Sequence, residues 1–230
     1  PTLVSRALGA FIVLIKLRNQ NLLIHLAVPF KLKLDGKMIK KILHIGVPSG
    51  IENSLFQLGK IMLLSLVTGF GTSAIAANSI AGTLSNFHIL PASAIGLALI
   101  TVVSRCVGAS DYQQARYYTK KLMIAAYISM TFASLLLFFL LPLLLKVYNL
   151  SPETTTLTYN ISSSHIFASI LIWPSAFTLP NVLRAANDVK YTMTVSIVSM
   201  WIFRIILAFI LGGYTDLGVY SVWIAMYVDW

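Results

Sequence analysis

The sequence predicts an all-α polytopic membrane protein, and three observations predict it. Of the 230 residues, 57% are hydrophobic and 10% charged, against about 25% charged in an ordinary soluble domain. Mean hydropathy is +0.82. Several apolar stretches reach the ~20 residues that a helix needs to cross a hydrocarbon core, which excludes a signal peptide followed by a soluble domain. Finally, the net charge of +10 comes from Lys and Arg placed between the apolar stretches, in alternate connections. They form no nucleic-acid-binding module and no basic face interleaved with aromatics, so nucleic acid is not an expected partner. The single cysteine, Cys106, excludes an intrachain disulfide framework and a multi-cysteine metal site.

Residues 2–15 are apolar but too short to span alone, and read as the tail of a helix. From Lys16 to Lys41 runs a basic connector punctuated by Pro29 and Gly36. It reads as a solvated linker between two bundles, with its Leu22–Val28 portion able to lie on the membrane surface. The first complete span is 40–68, with Pro48 favouring a kink near its start. Gly69-Phe70-Gly71 forms an uncharged turn. A second span, 74–103, contains Asn78, Asn86, His88 and Pro91. Gly108 reads as a helix C-cap, and Ser110 with Gln113 as the capping box of the next helix. The third span, 122–145, carries no charge. Ser151-Pro152-Glu153 is a helix start, opening a fourth span, 154–183, rich in Ser and Thr and containing His165, Trp173, Pro174 and Pro180. Such hydroxyls suit helix packing or a polar lumen. The fifth span, 191–211, has Arg204 near its middle, and a sixth begins near Tyr220.

Lys and Arg number seven in 16–41, four in 105–121 and two in 184–190, against zero in 69–73, one in 146–153 and zero in 212–217. The positive-inside rule then makes 16–41, 105–121 and 184–190 the cytoplasmic loops of a multi-pass plasma-membrane protein.

The chemistry concentrates in the first span, an apolar run with Glu52 and Lys60 in its interior. A charge at bilayer depth costs roughly 2.5–3.5 kcal/mol on insertion scales and ordinarily faces a bundle interior or a wet cavity. At about 100° per residue, Glu52, Ser49, Lys60, Asn53 and Gln57 fall within one arc of roughly 140°. Neutralisation of Glu52 and Lys60 by each other or by a neighbour in a packed bundle is the simpler reading, but it leaves Ser49, Asn53 and Gln57 on that stripe unexplained. No HExxH, GxSxG, Walker A or GxGxxG pattern occurs, and His25, His44, His88 and His165 lack metal-ligand spacing. No enzymatic activity or cofactor is expected. Polar residues at mid-depth in a helical bundle favour transport.

Five stretches, in order, carry a family resemblance: Gly46-Val47-Pro48-Ser49-Gly50-Ile51-Glu52-Asn53 with Gln57-Leu58-Gly59-Lys60; Ala76-Ala77-Asn78-Ser79-Ile80; Val107-Gly108-Ala109-Ser110-Asp111 with Ala115; Leu179 to Asp188; and Gly218 to Trp230. Together they resemble the second half of multidrug and toxic compound extrusion (MATE) transporters. The resemblance implies twelve helices in two six-helix lobes, and export of drugs or other organic cations by alternating access, driven by inward Na⁺ or H⁺. On that mapping residues 1–15 end helix six, 16–39 form the cytoplasmic interlobe connector, and 40–230 form the C-terminal lobe, helices seven to eleven and the start of twelve. Both termini read as cut through helices, with the N-terminal lobe of the same protein and the bilayer as partners.

The acidic residue of helix seven, a cation-coupling or substrate-contacting group in family members, matches Glu52, making it the candidate coupling carboxylate, which would bind Na⁺ together with uncharged oxygens or carry a proton instead. Some Na⁺-coupled members add a second carboxylate in helix ten, and none stands between Glu153 and Asp188 here. The usual Gly before the last Asp of the Arg-containing loop is Asn187, the next best residue at a left-handed helix end. The expected mechanism is competition of two cations for one carboxylate. Ser49, Asn53, Gln57, Lys60, Asn78, Asn86 and His165 are the candidate cavity residues, with Trp173 able to stack on a planar cation. Arg204 is expected as the structural partner of a buried carboxylate. Two other readings fit the same residues: a lipid-linked oligosaccharide flippase of related fold, in which Lys60 and Arg204 meet a pyrophosphate, and a non-transporting scaffold using the basic connector.

Overall fold

The computed structural model describes residues 2–18 and 35–230. The interior of the basic connector, with its Leu22–Val28 portion, lies outside them. The described residues fall into two units, divided between His44 and Ile45. The first contains α1 (Thr2–Leu17) and the opening turns of α2 (Gly36–Thr68).

The second unit holds the rest of α2, followed by α3 (Thr72–Gly108), α4 (Tyr112–Val147), α5 (Pro152–Ala185), α6 (Val189–Tyr214) and α7 (Tyr220–Asp229). Four of these, α3 to α6, are long and apolar enough to cross a membrane. At about 1.5 Å per residue α3 is roughly 55 Å long, so it must tilt or project beyond the hydrocarbon.

α3 is the packing centre. Its Ala77, Ala81 and Ala92 are fully buried, small residues that let neighbouring backbones approach closely. Towards one end it joins Leu63 and Val67 of α2, Ile161 of α5, Ala208 of α6 and Trp223 of α7 in one core cluster. Leu84 packs with Leu137, Leu141 and Leu145 of α4 and Ile166 of α5. The outward surface is strongly apolar, with Phe132, Phe139 and Leu171 more than two-thirds exposed. A contiguous apolar exterior of that kind is a membrane face.

The helix ends correct the sequence reading. Basic residues Arg116, Lys120 and Lys121 stand on α4, not in a loop, and the connection is only 109–111. Asp111, not Ser110, is the N-cap, accepting from the Gln114 N–H at 2.9 Å. Ser110 adopts a left-handed φ of 59°, so the turn places its side chain out of capping position and hands the role to the next residue. Asn187 takes the same kind of conformation, φ 74°, followed by Asp188 as the N-cap of α6. Ser151 caps α5, with Pro152 in its first turn.

α5 and α6 each carry a stretch of wider helix, Pro174–Thr178 and Met200–Ile206. Pro174 has no N–H, and the Leu179 N–H reaches back five residues to its carbonyl at 3.1 Å. Such π-type segments turn side chains off the regular helical stripe and recur at functional sites.

Candidate functional site

Glu52, on α2, donates its charge to an ion pair. Its Oε1 accepts from Arg184 Nη2 at 2.7 Å. The glutamate side chain is 13% exposed and the arginine 34%, so the carboxylate is sheltered and the guanidinium reaches the exterior. Asn181, one turn before Arg184, accepts from its Nη1 at 3.4 Å. Arg184 stands at the C-terminal end of α5, where a cation complements the helix dipole.

Beside this pair lies a cavity of about 310 Å³. Phe56, Phe177, Tyr191 and Trp230 supply its aromatic lining, and Thr192, Ser196 and Ser199 its hydroxyls; Asp229 lines it too. Asp229 forms a second ion pair, Arg204 Nη2 to its Oδ2 at 2.7 Å, both side chains below a tenth exposed. The π-type segment of α6 carries Arg204 inward, and its guanidinium lies 5.1 Å from the Phe56 ring centroid. Lys60 Nζ is also 5.1 Å from that ring. Among the described residues these two ion pairs bring two carboxylates, Glu52 and Asp229, and one guanidinium, Arg184, to the lining of one cavity, with Arg204 behind Asp229.

Of the sequence-predicted site residues, Glu52 alone lines this cavity. Arg204 meets it indirectly, as the partner of Asp229. Asn53 and Gln57 are exposed, and Asn53 donates to the Ser49 carbonyl at 2.9 Å. Lys60 is exposed on the same helix. The polar stripe of α2 therefore flanks the site without enclosing it. Asn78 accepts from the Trp223 indole at 3.1 Å, a packing bond between α3 and α7. Asn86 is exposed. Trp173 is buried against Ala92, Ala126 and Met130 and stacks on Phe177 with ring centroids 5.1 Å apart. It thus supports the aromatic wall from behind. His165 is buried among Trp223, Trp230 and His88.

Sequence reasoning missed Arg184 and Asp229. Arg184 was counted as loop charge, and its 132-residue separation from Glu52 leaves no local signal. Asp229 did carry one: it is an acid in an apolar helix, as Glu52 is.

The second unit thus defines a class, the polytopic helical membrane proteins that bury matched charges beside an internal cavity. Within that class the chain belongs to the MatE family, whose model matches residues 48–210. Curated relatives include the probable multidrug resistance protein YoeA of Bacillus subtilis, 24% identical over 84% of this chain and 42% of its own length. Another is the probable multidrug resistance protein NorM of the same species, 29% identical over 84% of this chain and 43% of its own. Among solved structures, a crystal structure of MATE in the bent conformation superposes with a TM-score of 0.83 at 14% identity, over 99% of this chain and 50% of the other. An outward-facing multidrug resistance MATE transporter of the MOP superfamily gives 0.81 at 16% identity, over 99% and 51%. The fold is that of one lobe of a MATE transporter. The chain spans about half the length of the curated relatives it matches.

Proposed function

We propose that this chain forms the C-terminal lobe of an ion-coupled antiporter that exports organic cations or drugs across the plasma membrane, with Glu52 as the exchange site. Residues 1–15 close the preceding lobe, 16–39 connect the two on the cytoplasmic side, and 40–230 form the transporting half. The relatives named as multidrug resistance proteins support the substrate class. The observation that carries the reading is the sheltered Glu52 carboxylate, held by a partly exposed guanidinium beside an aromatic-walled cavity.

In this mechanism Arg184 is the resident cation. A cationic cargo enters against Phe56, Phe177 and Trp230, whose ring faces attract positive charge, and displaces the guanidinium from Glu52. Binding of the coupling ion, Na⁺ or H⁺, at the same carboxylate removes the attraction and releases the cargo. Two ligands that compete for one charge are coupled by it. Of the two cations the flippase reading needs, Arg204 is matched by Asp229 and Lys60 is exposed outside the cavity lining, so among the described residues the cavity lining holds one guanidinium, already paired with Glu52, which disfavours that reading.

The test is Glu52→Gln in the complete protein, assayed as ethidium efflux from cells and from proteoliposomes under an imposed Na⁺ or H⁺ gradient. Gradient-driven efflux is expected to be lost while the protein still reaches the membrane. Undiminished efflux would overturn the assignment.

A further inference from the structure

The opening turns of α4 stand beside the end of α5, and a groove of about 500 Å³ runs between them, with α3 contributing to its lining. Most of that lining is apolar: Val103 of α3, Met123 of α4, and Leu179 and Val182 of α5 take part in it. Arg116 and Lys120 of α4 line it too, and both are exposed. The groove shares no lining residue with the cavity beside Glu52. Arg116 and Lys120 are four residues apart, so they lie one turn from each other on the same face of α4, where like charges repel. Among the described residues no carboxylate pairs with either, since the ion pairs belong to Arg184 and Arg204. Asp111 and Asp188, at the neighbouring turns, serve as N-caps and accept from the Gln114 and Tyr191 N–H groups.

The sequence fixes the depth of this groove in the bilayer. Tyr112, Tyr117 and Tyr118 are all exposed on these turns of α4, and exposed tyrosines gather where a helix passes through the headgroup layer. Lys121 lies over the Tyr117 ring, its Nζ 4.6 Å from the centroid, and the uncharged apolar run begins at the next residue, Leu122. Arg116 and Lys120 therefore stand at headgroup level, and Met123 at the edge of the hydrocarbon. The count of basic residues puts that level on the cytoplasmic side, whose leaflet carries the anionic lipids.

We propose that this groove binds an anionic phospholipid of the cytoplasmic leaflet, with its phosphate held by Arg116 and Lys120 and the start of an acyl chain lying against Met123, Leu179 and Val182. A guanidinium can give two parallel N–H donors to phosphate oxygens, and the lysine adds a point charge. The bound phosphate relieves the repulsion between the two cations. A soluble anion would meet the same charges but has no use for the apolar wall, so a lipid is the occupant that matches both parts of the groove. The far end of α4 offers a comparison. There a groove of about 530 Å³ has Lys146 as the one cation in its lining, and it lacks the second charge. The proposal stands apart from the exporter reading, because it uses none of the residues of the Glu52 cavity.

The experiment is native mass spectrometry of the complete protein, released from detergent after titration with phosphatidylglycerol or with phosphatidylcholine of the same chain length. Phosphatidylglycerol is expected to be retained at the lower concentration. Arg116→Gln and Lys120→Gln should each weaken its retention about fivefold, the usual contribution of one basic residue at an anionic surface. Lys146→Gln should leave the preference between the two lipids unchanged. Val182→Trp fills the groove while keeping both charges, and should weaken retention as well, whereas excess inorganic phosphate should not displace the lipid. Equal retention of the two lipids, a double Arg116→Gln/Lys120→Gln variant that keeps the preference, or a Lys146→Gln variant that loses it would overturn the site. Displacement by inorganic phosphate, or undiminished retention in Val182→Trp, would overturn the lipid as its occupant. If the Gln variants fail to fold, salt takes their place: in the unaltered protein the preference should fall as ammonium acetate is raised from about 0.05 M to about 0.5 M, and a preference indifferent to salt would again overturn the proposal.

Discussion

The Arg204–Asp229 pair gives the sharpest energetic test of the site. Both side chains are below a tenth exposed and their N–O distance is 2.7 Å. Charge centres about 4 Å apart attract by about 4 kcal/mol at an effective dielectric of 20, which offsets the cost of taking both ions out of water. Removing one partner leaves the other charge buried alone, at a cost of about 3–5 kcal/mol. Asp229→Leu and Arg204→Met should therefore each destabilise the lobe by that amount, while the double variant should be no less stable than either single one, since matched apolar groups need no compensation. Unfolding in detergent, followed by fluorescence of Trp223 and Trp230, measures the three values. A double variant that costs the sum of the single ones would show that the two groups do not interact. Single variants costing under about 1 kcal/mol would show that water reaches the pair freely, as for a surface pair.

Three further predictions concern the neighbourhood of Glu52 and the topology. Arg184→Gln removes the resident cation, so equilibrium binding of a fluorescent organic cation should tighten several-fold while gradient-driven efflux falls; weaker binding would show that Arg184 contacts cargo instead of competing with it. Gly96→Ala would set a Cβ 2.9 Å from Asn181 Nδ2, and Asn181 supports Arg184. The Asn181 amide must swing aside, so the expected effect is loss of its bond to Arg184 with the unfolding midpoint little changed, and a large fall in the midpoint would show that the amide cannot move. For orientation, cysteines placed at Asn149 and Asn187 in a Cys106→Ala background should differ: an external membrane-impermeant thiol reagent should label the first and spare the second, and the reverse would invert the topology.

The helices were legible because lipid demands long apolar runs, and each predicted span lies within an observed helix. The start of α5 at Ser151-Pro152 was legible too, but that of α4 was not. Hydropathy falls wherever a helix runs past the bilayer, as at Arg116, Lys120 and Lys121, so a charge-bearing turn of helix reads as loop. The turns obeyed local chemistry more closely, and Asn187 adopts the left-handed conformation its side chain tolerates. Glu52 was legible for a physical reason too: a carboxylate in an apolar helix is costly and must be met by something. What meets it was hidden, because a wheel drawn on α2 ranks Lys60 as its neighbour. In the fold Lys60 points along the helix surface towards Phe56, and the guanidinium arrives from the end of α5. The same rule applied to Asp229 would have marked a second buried acid, and with it the need for a second base. Applied consistently, it turns the count of intramembrane acids into a count of expected partners. The four charges, taken as two pairs, balance one another, and on the proposed exporter reading an arriving cation therefore competes with a guanidinium for Glu52.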